Sequence, residues 1–235
     1  MNETRIEALG DSALLITLGE RIDAQLNTRA VALAERLAAA SLPGVGDVAP
    51  AYASVCLRYD PVAWSVAGNA GPFAAIAARL REFLQTDIAD ATIVAHPTSI
   101  DIAVCYGGEF GPDLQHVATH AKLDADEVVA RHCAGDYRVA MLGFAPGFPY
   151  LLGLDAVLHT LRRDSPRVRV PAGSVAIGGA QTGIYPHELP GGWQIIGRTP
   201  LTLFDATRAT PALLTAGQRV RFRAISPAQF ASHAA

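Results

Sequence analysis

Side chains that could bind or transform a small molecule are concentrated between Gly143 and Pro200. This stretch holds 10 of the chain's 21 glycines and 7 of its 15 prolines. Glycine allows close backbone approach and proline fixes turns, so this composition predicts loops held in defined shapes. The same loops carry aromatic and polar groups, among them Phe148, Tyr150, Gln181, Tyr185, His187 and Trp193. Such a mixture is typical of binding sites, so we expect the functional surface here rather than plain barrel turns.

His187 is the side chain in this stretch best suited to proton transfer. A histidine can exchange a proton near neutral pH and can bind a carboxylate when it is charged. The alternative is a solvent-facing loop histidine, because no base and nucleophile are paired with it in the sequence. We take His187, together with Arg198, as the candidate catalytic residues.

Arginines in the same region predict an anionic ligand. Three of them could hold a phosphate or a carboxylate through paired N–H groups: Arg167, Arg169 and Arg198. For any one of them, pairing on the surface with Asp164 or Glu188 is the alternative. With Arg162 and Arg163 they make one locally basic segment in a chain of net charge −3. This segment suits a small anionic substrate or an acidic partner surface.

Other candidates for contact with substrate or partner are Gly147, Gly179, Gln181 and Thr182. The last two offer amide and hydroxyl groups suited to polar contacts with a small ligand. The run Gly178–Gly183 resembles a phosphate-binding loop but lacks the lysine, and Pro186 argues against a following helix. Phe148 and Trp193 serve as packing residues, as walls of a pocket, or as both.

Patterns for a hydrolase triad and for a metal are weak. Ser174 does not lie in a Gly-x-Ser-x-Gly turn, so a serine hydrolase is not supported. His116 and His120 lie four residues apart, a spacing that can share a metal on one helix face. Because no third ligand accompanies them, we expect no metal site.

Composition excludes several classes of protein. A chain of 235 residues with 50% apolar residues can build one large or two small domains. The net charge of −3 gives no reason to expect a nucleic-acid partner. We find no signal peptide and no apolar run near the roughly 20 residues that cross a bilayer. Three scattered cysteines predict reduced thiols and a cytoplasmic protein.

Residues 1–95 are predicted to form a small α+β domain. Two short strands lie within Thr4–Thr17, and a helix follows with Asp23 as its N-cap. A strand over Tyr52–Tyr59 and a second helix beginning near Pro72 come next. Ala91–Ala95 then forms a short strand. His96–Ser99 is the predicted linker, because proline disfavours helix in the residue before it.

Residues 97–235 are predicted to form a mainly-β domain. Strands are expected at Ile100–Tyr106 and Tyr137–Leu142, with helices beginning near Leu114 and after the capping residue Asp124. Short β-type runs then alternate with glycine and proline, which predicts a barrel or two packed sheets: Val168–Val170, Val175–Ile177, Trp193–Ile196, Leu201–Phe204 and Arg219–Arg223.

Five motifs resemble those of one family. They are YGGEFGPDL (Tyr106–Leu114), GFAPGFPY (Gly143–Tyr150), VPAGSV (Val170–Val175), QTGIYP (Gln181–Pro186) and PGGWQIIGRTP (Pro190–Pro200). The family is the B subunit of the prokaryotic three-subunit 5-oxoprolinase, also labelled allophanate hydrolase subunit 1 or KipI-like. The five motifs follow one another in the family's order.

The resemblance implies a cyclophilin-like β-barrel from about residue 97 and a site shared with another subunit. It implies that the A and C subunits are partners, and that the complex converts 5-oxoproline to glutamate using ATP, with this chain inactive alone. It implies no metal or biotin on this chain. Two other activities occur among relatives: inhibition of a sensor histidine kinase, and a carboxyltransferase or allophanate-hydrolase role in urea metabolism. Both stay open as alternatives.

Overall fold

The structure is a computed structural model that describes residues 4–65, 71–85 and 99–233. The chain divides into two compact units, residues 1–95 and 96–235, which are described separately. The predicted strand Ala91–Ala95 and residues 96–98 of the predicted linker lie outside the described residues.

Within its described residues, 4–65 and 71–85, the first unit contains a four-stranded antiparallel sheet and two α-helices. Asp23 caps the first helix as predicted, because its side chain accepts hydrogen bonds from the backbone of Gln25 and Leu26. Both helices bury apolar residues that pack with the sheet in one core. The elements are β1 (Arg5–Ala8), β2 (Ala13–Thr17), α1 (Ala24–Ala39), β3 (Val45–Pro50), β4 (Ser54–Tyr59) and α2 (Pro72–Gln85), with strand order β1-β2-β4-β3.

Strand β3 is not predicted from the sequence. Its residues VGDVAP include glycine, aspartate and proline, which are depleted in strands. Two conditions permit it: β3 is an edge strand, and its register shifts between Val45 and Val48. Edge positions and bulges tolerate such residues because fewer backbone groups must be paired.

The described part of the second unit has nine strands and three α-helices: β5 (Ser99–Tyr106), α3 (Leu114–Ala121), α4 (Ala125–Ala134), β6 (Tyr137–Leu142), β7 (Pro149–Leu152), β8 (Arg167–Val170), β9 (Ser174–Gly178), β10 (Gln181–Ile184), β11 (Leu189–Gly191), β12 (Gln194–Arg198), β13 (Arg219–Ala224) and α5 (Pro227–His233). Seven of the strands form a closed barrel with the order β10-β7-β6-β13-β5-β12-β9, so the predicted mainly-β barrel is confirmed. Its β13–β5 pair is parallel. Strands β8 and β11 form a separate two-stranded antiparallel sheet, here called the β8–β11 ribbon.

The prediction of a strand over Leu201–Phe204 is wrong. Only Phe204 makes a single bridge, to Ala212, and the segment belongs to a loop closed by a hydrogen bond from Leu213 N to Leu203 O. Leu203 is nevertheless buried in the core of the unit. The apolar residues of Leu201–Phe204 are therefore explained by burial of a loop and not by pairing in a sheet. Conversely, the sequence does not predict β7, β10, β11 or α5; the three strands each contain a proline or a glycine.

A capping box begins α4, as the sequence predicts: the Asp124 side chain accepts from Glu127 N and the Glu127 side chain accepts from Asp124 N. Helices α3 and α4 add Val117 and Val128 to the same core as the inward-facing residues of the barrel strands. The interior is thus filled by side chains. Any ligand site must lie on the outside of the barrel.

A buried carboxylate ties the start of α3 to β8 and β12. Asp113 occupies the N-cap position of α3, but its side chain makes no capping hydrogen bond. It accepts two hydrogen bonds of 2.8 Å from Arg167 and one of 2.7 Å from the backbone N–H of Ile195. Arg163 donates a further, longer one at 3.3 Å. We call Asp113, Arg163, Arg167 and the Ile195 backbone the Asp113 cluster.

Close approach of backbones accompanies this cluster. Asp113 N donates to Ile195 O at 2.9 Å, and Gly107 N donates to Ile196 O at 3.1 Å. A Cβ atom at Gly111 would overlap the carbonyl of Ile196. The glycine of the sequence Gly-Pro-Asp is therefore needed so that this turn can lie directly on β12.

We predict that Asp113→Asn lowers the free energy of unfolding of the barrel unit by about 3–5 kcal/mol, because it removes one partner of a buried ion pair. The side chain of Asp113 is 6% exposed and that of Arg167 is 24% exposed. Urea denaturation followed by circular dichroism measures the loss.

The matched control is Asp101→Asn. Asp101 also pairs with two arginines, Arg221 and Arg223, but its side chain is 40% exposed. Exposed pairs of this kind contribute little to stability, so a much smaller loss is expected. Equal losses in the two variants would contradict the special role of the Asp113 cluster.

Candidate functional site

An aromatic pocket of about 250 Å³ lies on the outer surface of the barrel. Phe148 is its centre: its ring centroid lies 4.9 Å from that of Tyr150, 5.1 Å from Tyr185 and 5.7 Å from Trp193. Tilted and edge-to-face contacts at these distances are favourable and hold the rings in place. The pocket is lined by five aromatic residues, two prolines, two glycines and one arginine: Phe144, Phe148, Tyr150, Tyr185, Trp193, Pro166, Pro190, Gly191, Gly192 and Arg162.

Two glycines on the barrel wall make room for the rings. A Cβ atom at Gly178 would stand 2.5 Å from the indole of Trp193. A Cβ atom at Gly183 would stand 3.1 Å from both Phe148 and Trp193. The aromatic cluster can therefore lie directly against β9 and β10, because these positions carry no side chain.

Arg162 supplies the positive charge of the pocket. Its guanidinium carbon lies 5.6 Å from the centroid of the Trp193 ring, within the range of a cation–π contact. Burial raises the pKa of Tyr150 and of Tyr185, and the charge of Arg162 opposes that shift. Both phenols stay protonated at neutral pH. The pocket therefore combines apolar ring faces, protonated tyrosines and one guanidinium.

Phe144 stands at the edge of the pocket in an unusual conformation. It is 63% exposed, and its φ angle is +67°. This left-handed region is costly for a residue with a large side chain and recurs at functional sites. Hydrogen bonds between Gly143 and Phe148 and between Ala145 and Phe148 close the loop that holds it there.

Four of the residues expected from the sequence to bind a ligand come together in this pocket: Phe148, Tyr150, Tyr185 and Trp193. Gly147 lies behind them rather than in the lining. Its φ is +79°, and a Cβ there would stand 2.6 Å from Phe204, so its role is to let the loop pass Phe204.

The arginines expected from the sequence to bind an anion do not line the pocket. Arg167 is held by Asp113, which is not the partner expected for it. Arg169 forms an ion pair with Glu188 at 3.6 Å, which is the surface pairing considered above as the alternative to anion binding. Its side chain is 79% exposed. Arg198 donates to the carbonyl of Ala172 at 2.7 Å. The residue that faces the pocket is instead Arg162.

The polar candidates are dispersed. Thr182 is completely buried and bonded inside the barrel, and Gln181 is 8% exposed. Gly179 forms the β9–β10 turn with φ +66°, and its N–H donates to Thr160 O. His187 is exposed on the loop between β10 and β11 and does not line the pocket.

A hydrogen-bonded network around His132 lies inside the barrel wall that carries the pocket. His132 on α4 is completely buried. Its Nδ1 lies 2.8 Å from the hydroxyl of Tyr106, and its Nε2 lies 3.1 Å from the hydroxyl of Thr182. Tyr137 donates to the backbone carbonyl of His132. Thr182 belongs to β10, whose neighbouring residue Gly183 supports Phe148 and Trp193.

The geometry assigns the tautomer of His132. The hydroxyl of Thr182 donates to Ala176 O at 3.0 Å, so it must accept from His132 Nε2–H. Nδ1 then carries no proton and accepts from the hydroxyl of Tyr106, which in turn accepts from the thiol of Cys133. Burial lowers the pKa of His132 from its ordinary 6.5 to about 3. The neutral imidazole holds α4 against β10.

The depressed pKa of His132 predicts a pH-dependent stability. Between pH 6.5 and about 3 the unfolded chain binds a proton at this residue and the folded chain does not. Stability therefore falls with decreasing pH, and the slope from this group approaches about 1.4 kcal/mol per pH unit once the pH is well below 6.5. Denaturation at several pH values between 6.5 and 5 should show this slope in the natural protein and its loss in His132→Gln. The exposed variant His187→Gln should keep it; identical slopes in all three proteins would contradict the assignment.

Three residues of this region do not emerge from the sequence as site residues: Arg162, Asp113 and His132. In the sequence Arg162 is only part of a basic segment, and Asp113 only precedes a helix. Pro166 is a signal that the sequence does offer, because it comes directly before β8. It indicates that Arg167 lies on a strand whereas Arg162 lies in the loop before that strand. His132 offers no local signal, because its partners lie in distant strands.

Comparison with known proteins shows the family of the chain. The family profile described as "Carboxyltransferase domain, subdomain C and D" matches residues 4–214. The chain therefore belongs to this family of carboxyltransferase C and D subdomains. A Bacillus subtilis (strain 168) protein, named as the B subunit of 5-oxoprolinase, is 43% identical over 227 residues, which cover 94% of this chain and 93% of that protein. The resemblance drawn from the five motifs is confirmed.

Two solved structures share the fold. The crystal structure of a protein named TTHA0988 has a TM-score of 0.77 and 38% identity, covering 91% of this chain and 40% of that longer chain. Urea carboxylase of Kluyveromyces lactis has a TM-score of 0.73 at 20% identity, covering 97% of this chain and 22% of that one. The second likeness concerns the fold alone.

Membrane-spanning helices and grouped metal ligands are both absent from the described residues (4–65, 71–85 and 99–233). No helix there is long and apolar enough to cross a membrane. Within the same ranges no three His, Cys, Asp or Glu side chains are grouped as metal ligands, and this includes His116 and His120.

Proposed function

We propose that this chain is the B subunit of an ATP-dependent 5-oxoprolinase, which with the A and C subunits hydrolyses 5-oxoproline to L-glutamate. The observation that carries the proposal is the aromatic pocket with Arg162 beside Trp193. It occurs in a chain that aligns over almost its full length with a protein named as the B subunit of 5-oxoprolinase. The chain acts as part of a hydrolase and is inactive alone.

The pocket suits the chemistry of 5-oxoproline, which is a small, flat five-membered lactam with one carboxylate. The ring would lie against the faces of Phe148 and Trp193. The carboxylate would pair with the guanidinium of Arg162, whose N–H groups match it geometrically. The protonated hydroxyls of Tyr150 and Tyr185 are suited to donate hydrogen bonds to the lactam carbonyl.

Opening the lactam requires activation, because an amide carbonyl is a poor target for water. Transfer of the terminal phosphoryl group of ATP to the lactam oxygen, with release of ADP, makes the ring carbon electrophilic. Water then adds to that carbon, the C–N bond breaks and the nitrogen takes a proton, which leaves an acyl phosphate at the former lactam carbon. A second water hydrolyses the acyl phosphate to the carboxylate and inorganic phosphate. Arg162 and the two tyrosines orient the lactam during these steps. No metal or biotin on this chain is required.

The remaining groups fit a site completed by another subunit. His187 and Arg198 lie outside the lining of the pocket, and His187 is exposed. We infer that they act in the assembled enzyme, where the partner surface closes over this face of the barrel. In the relative named TTHA0988 the matched region is 40% of a longer chain, as expected if a partner can be fused to it.

The architecture is proposed to consist of an α+β domain over residues 1–95 and a cyclophilin-like barrel domain over residues 97–235. A cyclophilin-like barrel does not by itself imply prolyl isomerase activity. The protein is proposed to be cytoplasmic. All three cysteines are free thiols, which suits that compartment.

The proposal is tested by co-purifying the chain with the A and C subunits and measuring ATP-dependent release of glutamate from 5-oxoproline. Activity should require all three proteins. Full activity with this chain omitted would refute the assignment and would leave kinase inhibition or a urea-related carboxyltransferase role to be tested.

We predict that Arg162→Gln in the assembled enzyme raises the KM for 5-oxoproline about 10- to 100-fold, because a charge-assisted hydrogen bond contributes about 1.5–3 kcal/mol. Arg208→Gln is the control, since Arg208 pairs with Asp205 away from the pocket. Steady-state kinetics distinguish the two variants. Equal KM values would place the carboxylate elsewhere.

We predict that His187→Ala and Arg198→Ala each lower turnover of the assembled enzyme by about 100-fold or more, the usual effect of losing a proton-transfer or charge-stabilising group. Gel filtration should show that both variants still assemble. Unchanged turnover in both variants would move the catalytic groups onto a partner protein.

A further inference from the structure

A second cavity lies on the other side of a single segment of chain. Residues 160–166, here called the dividing segment, are fixed by three hydrogen bonds: Gly179 N to Thr160 O, Gln194 Nε2 to Leu161 O, and Arg163 N to Gly192 O. The aromatic pocket lies on one side. On the other side lies a cleft of about 550 Å³, and Arg162 lines both.

This cleft is polar. One wall is helix α3, from which His116 and His120 face the cleft one helical turn apart. The opposite wall is the dividing segment, which contributes Arg162 and Arg163. Both histidines are exposed, so they are open to a ligand in solution. Nitrogen donors therefore approach the same space from two sides.

The two acidic residues of the lining do not cancel this character. Asp113 already accepts two hydrogen bonds from Arg167, one from Arg163 and one from the Ile195 backbone, so its charge is compensated. Asp164 is the other acid of the lining. The guanidinium of Arg162 lies in the same lining and is not bound to Asp113.

We propose that this cleft binds the phosphate group of a phosphate-bearing anion. A phosphate has enough acceptor oxygens to be reached from both walls at once, whereas a carboxylate has two. The inference rests on the proposed function for its role: the shared Arg162 would lie between the lactam in the aromatic pocket and the phosphoryl group in the cleft. The nucleoside part of such a ligand would contact other surfaces.

The test is calorimetric titration of the full chain, without partners, with inorganic phosphate and separately with ATP free of divalent metal. Saturable binding of either ligand is expected, and the tighter of the two identifies the source of the phosphate. The double variant His116→Gln with His120→Gln should bind at least ten-fold more weakly. The control Arg208→Gln removes a cation that pairs with Asp205 outside the cleft and should bind within two-fold of the natural chain.

A second measurement does not depend on a variant. In the natural chain, the imidazole NMR signals of His116 and His120 should shift saturably with added phosphate or ATP, while those of the buried His132 stay in place. Absence of binding, unchanged affinity of the double variant, or equal shifts at all three histidines would each overturn the proposal.

Failure of this proposal and failure of the proposed function are distinguishable. Phosphate binding by the isolated chain, sensitive to His116 and His120, would stand even if the complex released no glutamate from 5-oxoproline. A complex that is active while its isolated chain binds neither ligand would place the phosphoryl donor entirely on another protein of the complex.

Discussion

The carboxylate of Asp113 is the point on which the outer surface of the barrel depends. It binds Arg167 at the start of β8 and the backbone of Ile195 in β12, 54 and 82 residues further along the chain. Pro166 precedes Arg167, and Trp193 lies two residues before Ile195. Both walls of the aromatic pocket therefore take their positions from this one buried charge, which is stable there because four donors surround it.

The candidate site lies outside the barrel because side chains already fill the interior. The interior is filled by apolar side chains, and the hydroxyl groups of Tyr106 and Thr182 are hydrogen-bonded to His132. Along β10 the side chains alternate, so Thr182 and Ile184 enter the barrel while Gly183 faces outward. The outward positions next to it carry the aromatic cluster. Because the interior is filled, the side chains that can contact a ligand lie on the outside of one wall of the barrel.

The dividing segment separates two environments of different chemistry. On one side the aromatic rings favour a flat, partly apolar ligand; on the other, histidine and arginine favour an anion. Arg162 belongs to both environments. Under the two proposals made above, this one guanidinium would contact both ligands.

By itself the sequence determined the features that depend on neighbouring residues. The caps Asp23 and Asp124, the strand Tyr137–Leu142, the mainly-β character of the second unit and the aromatic groups of the site all follow from rules that act within a few positions. Only the tertiary structure decided which arginine serves the pocket. Arg162 and Arg167 are five residues apart and alike in type, but Arg167 meets a carboxylate 54 residues away and Arg162 does not.

Likewise His132 becomes a neutral, buried hydrogen-bonding group only because Thr182, 50 residues away, is folded against it. Such pairings depend on the closure of the barrel, which no local pattern specifies.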